Sequence, residues 1–144
     1  MNAPGERFLI DASVAVKWVT PEPDSARATV LLGYHLSVPD LFFSECANVL
    51  WKKLRIGDLT DEEAREAGQT LEDADLSVIS TKRHLVRAVA IAAALQHPAY
   101  DAIYLAVAEA LGPRLVTSND RLIRKVRQPP GVFSHLVLPL AEVI

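Results

Sequence analysis

The sequence predicts an α/β fold: a central, mostly parallel sheet of four or five strands with helices on both faces. Three observations predict it. Apolar runs of three or four residues alternate with longer segments of helical character. Pro, Gly and small polar residues punctuate nearly every junction between them. Half of the 144 residues are hydrophobic and 23% are charged, which is ample apolar material to offset the entropy of ordering one domain of common size. Residues 1–144 read as a single domain, with neither an internal repeat nor a linker.

Each element follows in turn. Phe8-Leu9-Ile10 is a short strand ending at Asp11, and a weak helix, Ala12 to Trp18, comes next. Pro21 and Pro23 break the chain before a helix from Asp24 to Leu32, closed by Gly33. Leu36-Ser37-Val38 is a second strand. Pro39 opens the longest apolar-patterned helix, Leu41 to Arg55, which Gly57-Asp58 stops. Thr60-Asp61-Glu62-Glu63 is a capping box, in which the Thr60 hydroxyl and the Glu63 carboxylate satisfy each other's backbone amides. It starts a helix running to about Asp73. Leu76 to Ile79 is a third strand, His84 to Leu95 a helix, and Tyr100 to Leu111 another, stopped by Gly112-Pro113. Leu115-Val116-Thr117 is a strand, Asp120 to Arg127 a short helix, and Phe133 to Leu138 a last strand.

Composition narrows the class. No apolar run approaches the roughly 20 residues needed to cross a bilayer, and Met1 to Arg7 carry no signal-like apolar stretch, so a cytoplasmic protein with no membrane partner is expected. Cys46 is the sole cysteine and has no zinc-type spacing to the four histidines. The net charge of −3 is split unevenly: residues 1–75 hold 7 Lys/Arg against 14 Asp/Glu, and residues 76–144 hold 8 against 4. Such a split gives a dipolar molecule or a two-faced site and leaves room for a polyanionic partner.

In an open parallel sheet, sites form beyond the carboxyl ends of the strands. Two polar turns lie there: Asp11-Ala12-Ser13 and Thr117-Ser118-Asn119-Asp120. Both also read as ordinary helix caps. Glu45 is harder to explain away. It sits inside an apolar helix with Leu41 and Val49 four residues to either side, so no helical ion pair accounts for it, and Asn48 extends a narrow polar stripe. Asp101 opens the apolar helix Asp101-Ala-Ile-Tyr-Leu-Ala-Val-Ala108. A first-turn acid complementing the helix dipole accounts for it at up to about 1 kcal/mol, yet so apolar a helix turns its first turn inward. If Asp11, Glu45, Asp101 and the Thr117–Asp120 turn converge, their repulsion is relieved by protons or by a hard cation. Oxygen donors without Cys or His suit Mg²⁺ or Mn²⁺, and not zinc.

The same residues carry a resemblance. Asp11-Ala-Ser13 followed by Val-Ala-Val-Lys-Trp, Glu45 within Ser-Glu-Cys-Ala-Asn-Val-Leu-Trp, Asp101 within His-Pro-Ala-Tyr-Asp-Ala-Ile-Tyr, and Leu-Val-Thr117-Ser-Asn119-Asp120 stand in the order of a PIN domain. The chain resembles the VapC toxins of type II toxin–antitoxin modules along nearly its whole length. That likeness implies a PIN-like three-layer fold and an endoribonuclease that cuts RNA, of the tRNA or rRNA class, with a water activated by Mg²⁺ or Mn²⁺. It implies a homodimer, a VapB-like antitoxin that blocks the site, and a higher assembly of the two.

Carried over residue by residue, Asp11, Glu45 and Asp101 are the metal-site acids, with Asp11 and Asp101 as direct ligands. Ser13 and Thr117 orient carboxylates or water. The last motif departs from the family's Thr-x-Asp, because Asn119 stands where the acid is usual. Asn119 and the adjacent Asp120 are therefore both candidates for that catalytic position. Arg121, Arg124 and Lys125, with Arg127 nearby, form either a phosphate-tracking patch or a solvated helix face. Cys46 reads as a core thiol and His97 as a structural or turn residue. The alternative function is a PIN-like interaction domain with lost or weak metal binding. A phosphatase acting through an aspartyl phosphate would want a second acid where Ser13 stands.

Overall fold

The computed structural model describes residues 5–143. Five strands form one sheet: β1 (Arg7–Ile10), β2 (His35–Pro39), β3 (Ser77–Ile79), β4 (Arg114–Thr117) and β5 (Val137–Pro139). Their order across the sheet is β3-β2-β1-β4-β5, and every neighbouring pair is parallel. The register sets Leu9 beside Ser37 and Ile10 beside Val116.

Seven helices connect the strands: α1 (Ala12–Val19), α2 (Ser25–Val30), α3 (Phe42–Arg55), α4 (Asp61–Asp73), α5 (Leu85–Leu95), α6 (Ala99–Leu111) and α7 (Asp120–Arg127). Alternation along β1 sorts them into two layers. Phe8 and Ile10 face one core with residues of α1 to α4, and Leu9 faces the other with residues of α5, α6 and α7. Along β4 the partition repeats, with Val116 in the first core and Leu115 in the second. Both central strands are buried on both sides, which is why they read as unbroken apolar runs.

The α/β class and five of five strand positions agree with the sequence expectation, and boundaries move by a residue or two at most elements. Two departures are larger. The helix expected from Asp24 to Leu32 gives way at Leu31 to a 3-10 turn, Leu31–Gly33. The strand expected over Phe133–Leu138 begins only at Val137, because Ser134–Leu136 is a 3-10 turn. Phe133 and Leu136 both enter the second core, and a spacing of three brings both to one side of a 3-10 turn whereas a strand would separate them.

The stop after α3 needs Gly57, whose φ of +86° lies in the left-handed region. The capping box at α4 is fully formed: the Thr60 amide donates to Glu63 Oε1 at 2.9 Å and the Glu63 amide to Thr60 Oγ1 at 3.1 Å. Thr60→Ala is expected to cost about 1 kcal/mol of unfolding free energy in urea titration. An unchanged midpoint would mean that packing alone holds the start of α4.

Among the described residues, no helix is long and apolar enough to cross a membrane.

A candidate acidic site at the carboxyl ends of β1 and β4

The chain leaves β1 toward β2 on one side, while β4 lies on the other, so the switch in strand order falls between β1 and β4. Backbone connections diverge there and leave a crevice. Asp11 follows β1 directly and Thr117 ends β4, so the topology brings residues 106 positions apart into contact.

Asp11 is almost fully buried. Ser13 Oγ donates to its Oδ1 and Thr117 Oγ1 to its Oδ2, each at 2.5 Å. Ser13 Oγ in turn accepts from the Ser118 amide at 3.0 Å, and Thr117 Oγ1 from the Asn119 amide at 3.0 Å. The loops after β1 and β4 are thus tied together through one carboxylate. Burial pushes the Asp11 carboxyl up to about 6; its two hydroxyl donors oppose that rise and the charge of Asp101 adds to it.

Glu45 projects from α3, with Oε1 accepting from the Tyr104 hydroxyl of α6 at 2.6 Å. Burial raises it to about 7, against the pull of that hydrogen bond, and the charges of Asp11 and Asp101 raise it further. Asp101 lies in the first turn of α6. Its Oδ2 meets His97 Nε2 at 2.5 Å and accepts from Asn119 Nδ2 at 3.3 Å. A carboxylate acceptor requires the imidazole proton on Nε2, which leaves the buried Nδ1 without a partner among the described residues.

Asp11, Ser13, Glu45, Asn48, Asp101 and Asn119 line one open depression of about 240 Å³. Three acids on three elements converge there, each oriented by its own donor. Among the described residues, no three His, Cys, Asp or Glu side chains are gathered tightly enough to enclose an ion between them. Mg²⁺ does not demand such a cage, since it is held by one or two carboxylates and keeps several waters. An oxygen-only donor set with two acids raised by burial and mutual repulsion fits a hard divalent cation.

A family model described as the PIN domain matches residues 8–128. The chain belongs to the PIN-domain family. Over 140 residues it is 35% identical to Ribonuclease VapC3 of Pyrobaculum aerophilum, covering 92% of this chain and 99% of that protein. Its fold is shared with a crystal structure of a Pyrobaculum aerophilum protein, at a TM-score of 0.65 and 24% identity over 96% of this chain and 85% of that one. A toxin–antitoxin complex from Klebsiella pneumoniae follows at 0.64 and 16% identity, covering 92% of this chain and 97% of its own. VapBC2 of Rickettsia felis, bound to a DNA fragment from their promoter, superposes at 0.62 and 13% identity over 92% and 98%.

Within this PIN domain the motif after β4 resolves into two different positions. Asn119 lines the depression and also caps α7, its Oδ1 accepting from the Leu122 amide at 3.2 Å. Asp120 does not join it: this exposed side chain lines a separate cleft with Lys17, Arg127 and Glu142. Of the two candidates for the position of the missing acid, Asn119 is the one that faces the depression, because the residue after the cap points away from the cap's own face.

The basic cluster also divides. Arg121 and Arg124 are exposed, Lys125 borders a different cavity beside Pro129 and Phe133, and Arg127 pairs with Glu142 at 2.7 Å. None of the four lines the acidic depression. Cys46 is a core thiol, pushed by burial up to about 12.

Two further residues touch the acids: His97, expected as a structural or turn residue, and Tyr104, which the sequence does not single out. The signal for Tyr104 is the residue itself, a phenol within the largely buried apolar run Ala102–Ala108, whose hydroxyl needs a polar partner.

Proposed function

We propose that this chain is a divalent-metal-dependent endoribonuclease and the toxin of a toxin–antitoxin pair. The observation that carries the reading is the convergence of Asp11, Glu45 and Asp101 on one depression at the switch point of the sheet. The 35% identity to a VapC ribonuclease supports it over nearly the whole chain.

In this reading Asp11 and Asp101 hold the ion and Glu45 borders it. Bound there, Mg²⁺ or Mn²⁺ neutralises charge on the phosphate and lowers the pKa of an attacking water. The protein's own part is orientation. Ser13 and Thr117 fix both oxygens of Asp11, Tyr104 fixes Glu45, and His97 with Asn119 fixes Asp101. Asn119 adds a donor where another acid would add charge, so the chain supplies three carboxylates to the site. Glu45, raised to about 7 in the absence of an ion, gives up its proton when a divalent cation binds beside it.

The partners follow from the same family reading: an RNA of the tRNA or rRNA class, a VapB-like antitoxin, and a second copy of this chain. For the second copy, α5 turns Val86 and Val89 outward beside exposed Ala90 and Ala93, an apolar stripe at helical spacing. A metal-free interaction domain draws only on Asn119 and leaves the convergence of the other acids without a purpose.

The test is cleavage of mixed tRNA and rRNA by antitoxin-free protein in Mg²⁺, Mn²⁺ or EDTA. Cutting with either metal and none in EDTA is expected. Folded protein that cuts no RNA and binds no Mn²⁺ in titration would favour the interaction domain. Tyr104→Phe is expected to lower kcat roughly tenfold, since it removes a hydrogen bond to a half-buried carboxylate. The same variant should move the acidic limb of the pH profile to higher pH, because Glu45 acts as a carboxylate and loses the donor that opposes its rise; a superimposable profile would separate Tyr104 from the chemistry.

A further inference from the structure

Beside the acidic depression lies a larger recess of about 540 Å³, lined by Leu41, Ser44, Glu45 and Asn48 of the α3 segment and by Tyr100 of α6. Glu45 and Asn48 belong to both hollows, so the two are continuous along one edge of α3. Tyr100 immediately precedes Asp101 and is 70% exposed, a large aromatic surface left in water next to the acids.

Among the described residues, no Lys, Arg or His lines either hollow. An RNA strand running through them would meet no fixed cation beyond the metal itself, and ion pairing with side chains cannot be what seats it there. What the recess offers is an aromatic face, the apolar Leu41, and a hydroxyl and an amide. That combination suits a nucleobase: stacking on a π-face, with Ser44 and Asn48 available to the hydrogen-bonding edge. The edge and one face must both be free, which requires an unpaired base.

We propose that the recess seats one unpaired nucleobase flanking the phosphodiester at the acid cluster, with Tyr100 as its stacking platform. The proposal rests on the nuclease reading above and adds a positioning role for Tyr100 in the recess.

The experiment uses a short single-stranded RNA containing a site that the wild-type protein cuts in Mn²⁺, together with versions abasic at each position around the cut in turn. Tyr100→Ala is expected to lower kcat/KM roughly tenfold to a hundredfold, the range of losing one stacked base, while Tyr100→Phe keeps most of it. At one position the abasic RNA should cost the wild type a similar factor and cost Tyr100→Ala almost nothing more. Asn48→Ala, in the α3 lining of the recess, should show its penalty at that same position.

Losses that multiply at every position, or a Tyr100→Ala variant that cuts like the wild type, would overturn the proposal. A variant that cuts normally but loses its grip on the antitoxin would make the recess a protein dock, which also overturns it. If the wild type itself cuts no RNA, the nuclease reading fails first.

Discussion

Replacing Asp11 by Asn is expected to abolish metal-dependent RNA cleavage, by about a thousandfold or more, while leaving the fold at least as stable at pH 8. The size of the catalytic loss follows from removing a charged oxygen donor at the centre of the site, where several kcal/mol of transition-state stabilisation are at stake. The stability argument is separate. Asp11 is buried and raised to about 6, so at pH 8 it is a charge held in a place that resists charge. An amide of the same shape removes that cost, and the Ser13 and Thr117 hydroxyls can turn to donate to its oxygen and accept from its nitrogen. Cleavage assays beside urea unfolding check both halves. A variant that cuts like the wild type would remove Asp11 from the mechanism, whereas one that is inactive because it unfolds would make its role structural.

The second large effect is a dependence of stability on pH that a divalent ion reverses. Asp11 and Glu45 have folded-state pKa values raised to about 6 and about 7, above the ordinary carboxylate values of 3.8 and 4.5. The folded chain therefore keeps protons that the unfolded chain releases. With more protons on the native state, stability falls as pH rises from about 4, and the fall is complete above about 7. For Asp11 alone it amounts to at most about 3 kcal/mol.

Glu22 and Glu109 are held below the ordinary range and act in the opposite sense at lower pH, but they are common to wild type and variant. The measurement is thus a difference. Asp11→Asn should gain on the metal-free wild type between pH 5 and pH 8, and Mn²⁺ should raise the wild-type Tm more at pH 8 than at pH 5. Equal gaps at the two pH values would mean that the site is open enough to hold its charges without strain.

Much of this arrangement is legible in the residues. Phe8-Leu9-Ile10 and Leu115-Val116 announce buried parallel strands, and the polar residues that end them mark the rim where a site belongs. Glu45 stands out because nothing in its own helix neutralises it. What local pattern cannot supply is direction across elements. Nothing near Tyr104 in sequence says that its hydroxyl meets Glu45, 59 positions earlier, or that His97 turns toward Asp101 rather than toward solvent. Asn119 and Asp120 show a related limit: neighbours in sequence point their side chains into different hollows at the start of a helix. Phe133 and Leu136 show the remaining limit, since a six-residue stretch of mixed polarity does not reveal whether its period is two or three until a core is there to receive it.

The strand order also sets a timetable. β1 lies in the middle of the sheet, and the neighbour that completes the site, β4, is not made until residues 114–117. Asp101 and the Thr117 clamp are made long after the Asp11 beside which they stand. Contacts so far apart in sequence form late. The acids therefore come together only after α6 and β4 have joined the strand that precedes them by roughly a hundred residues.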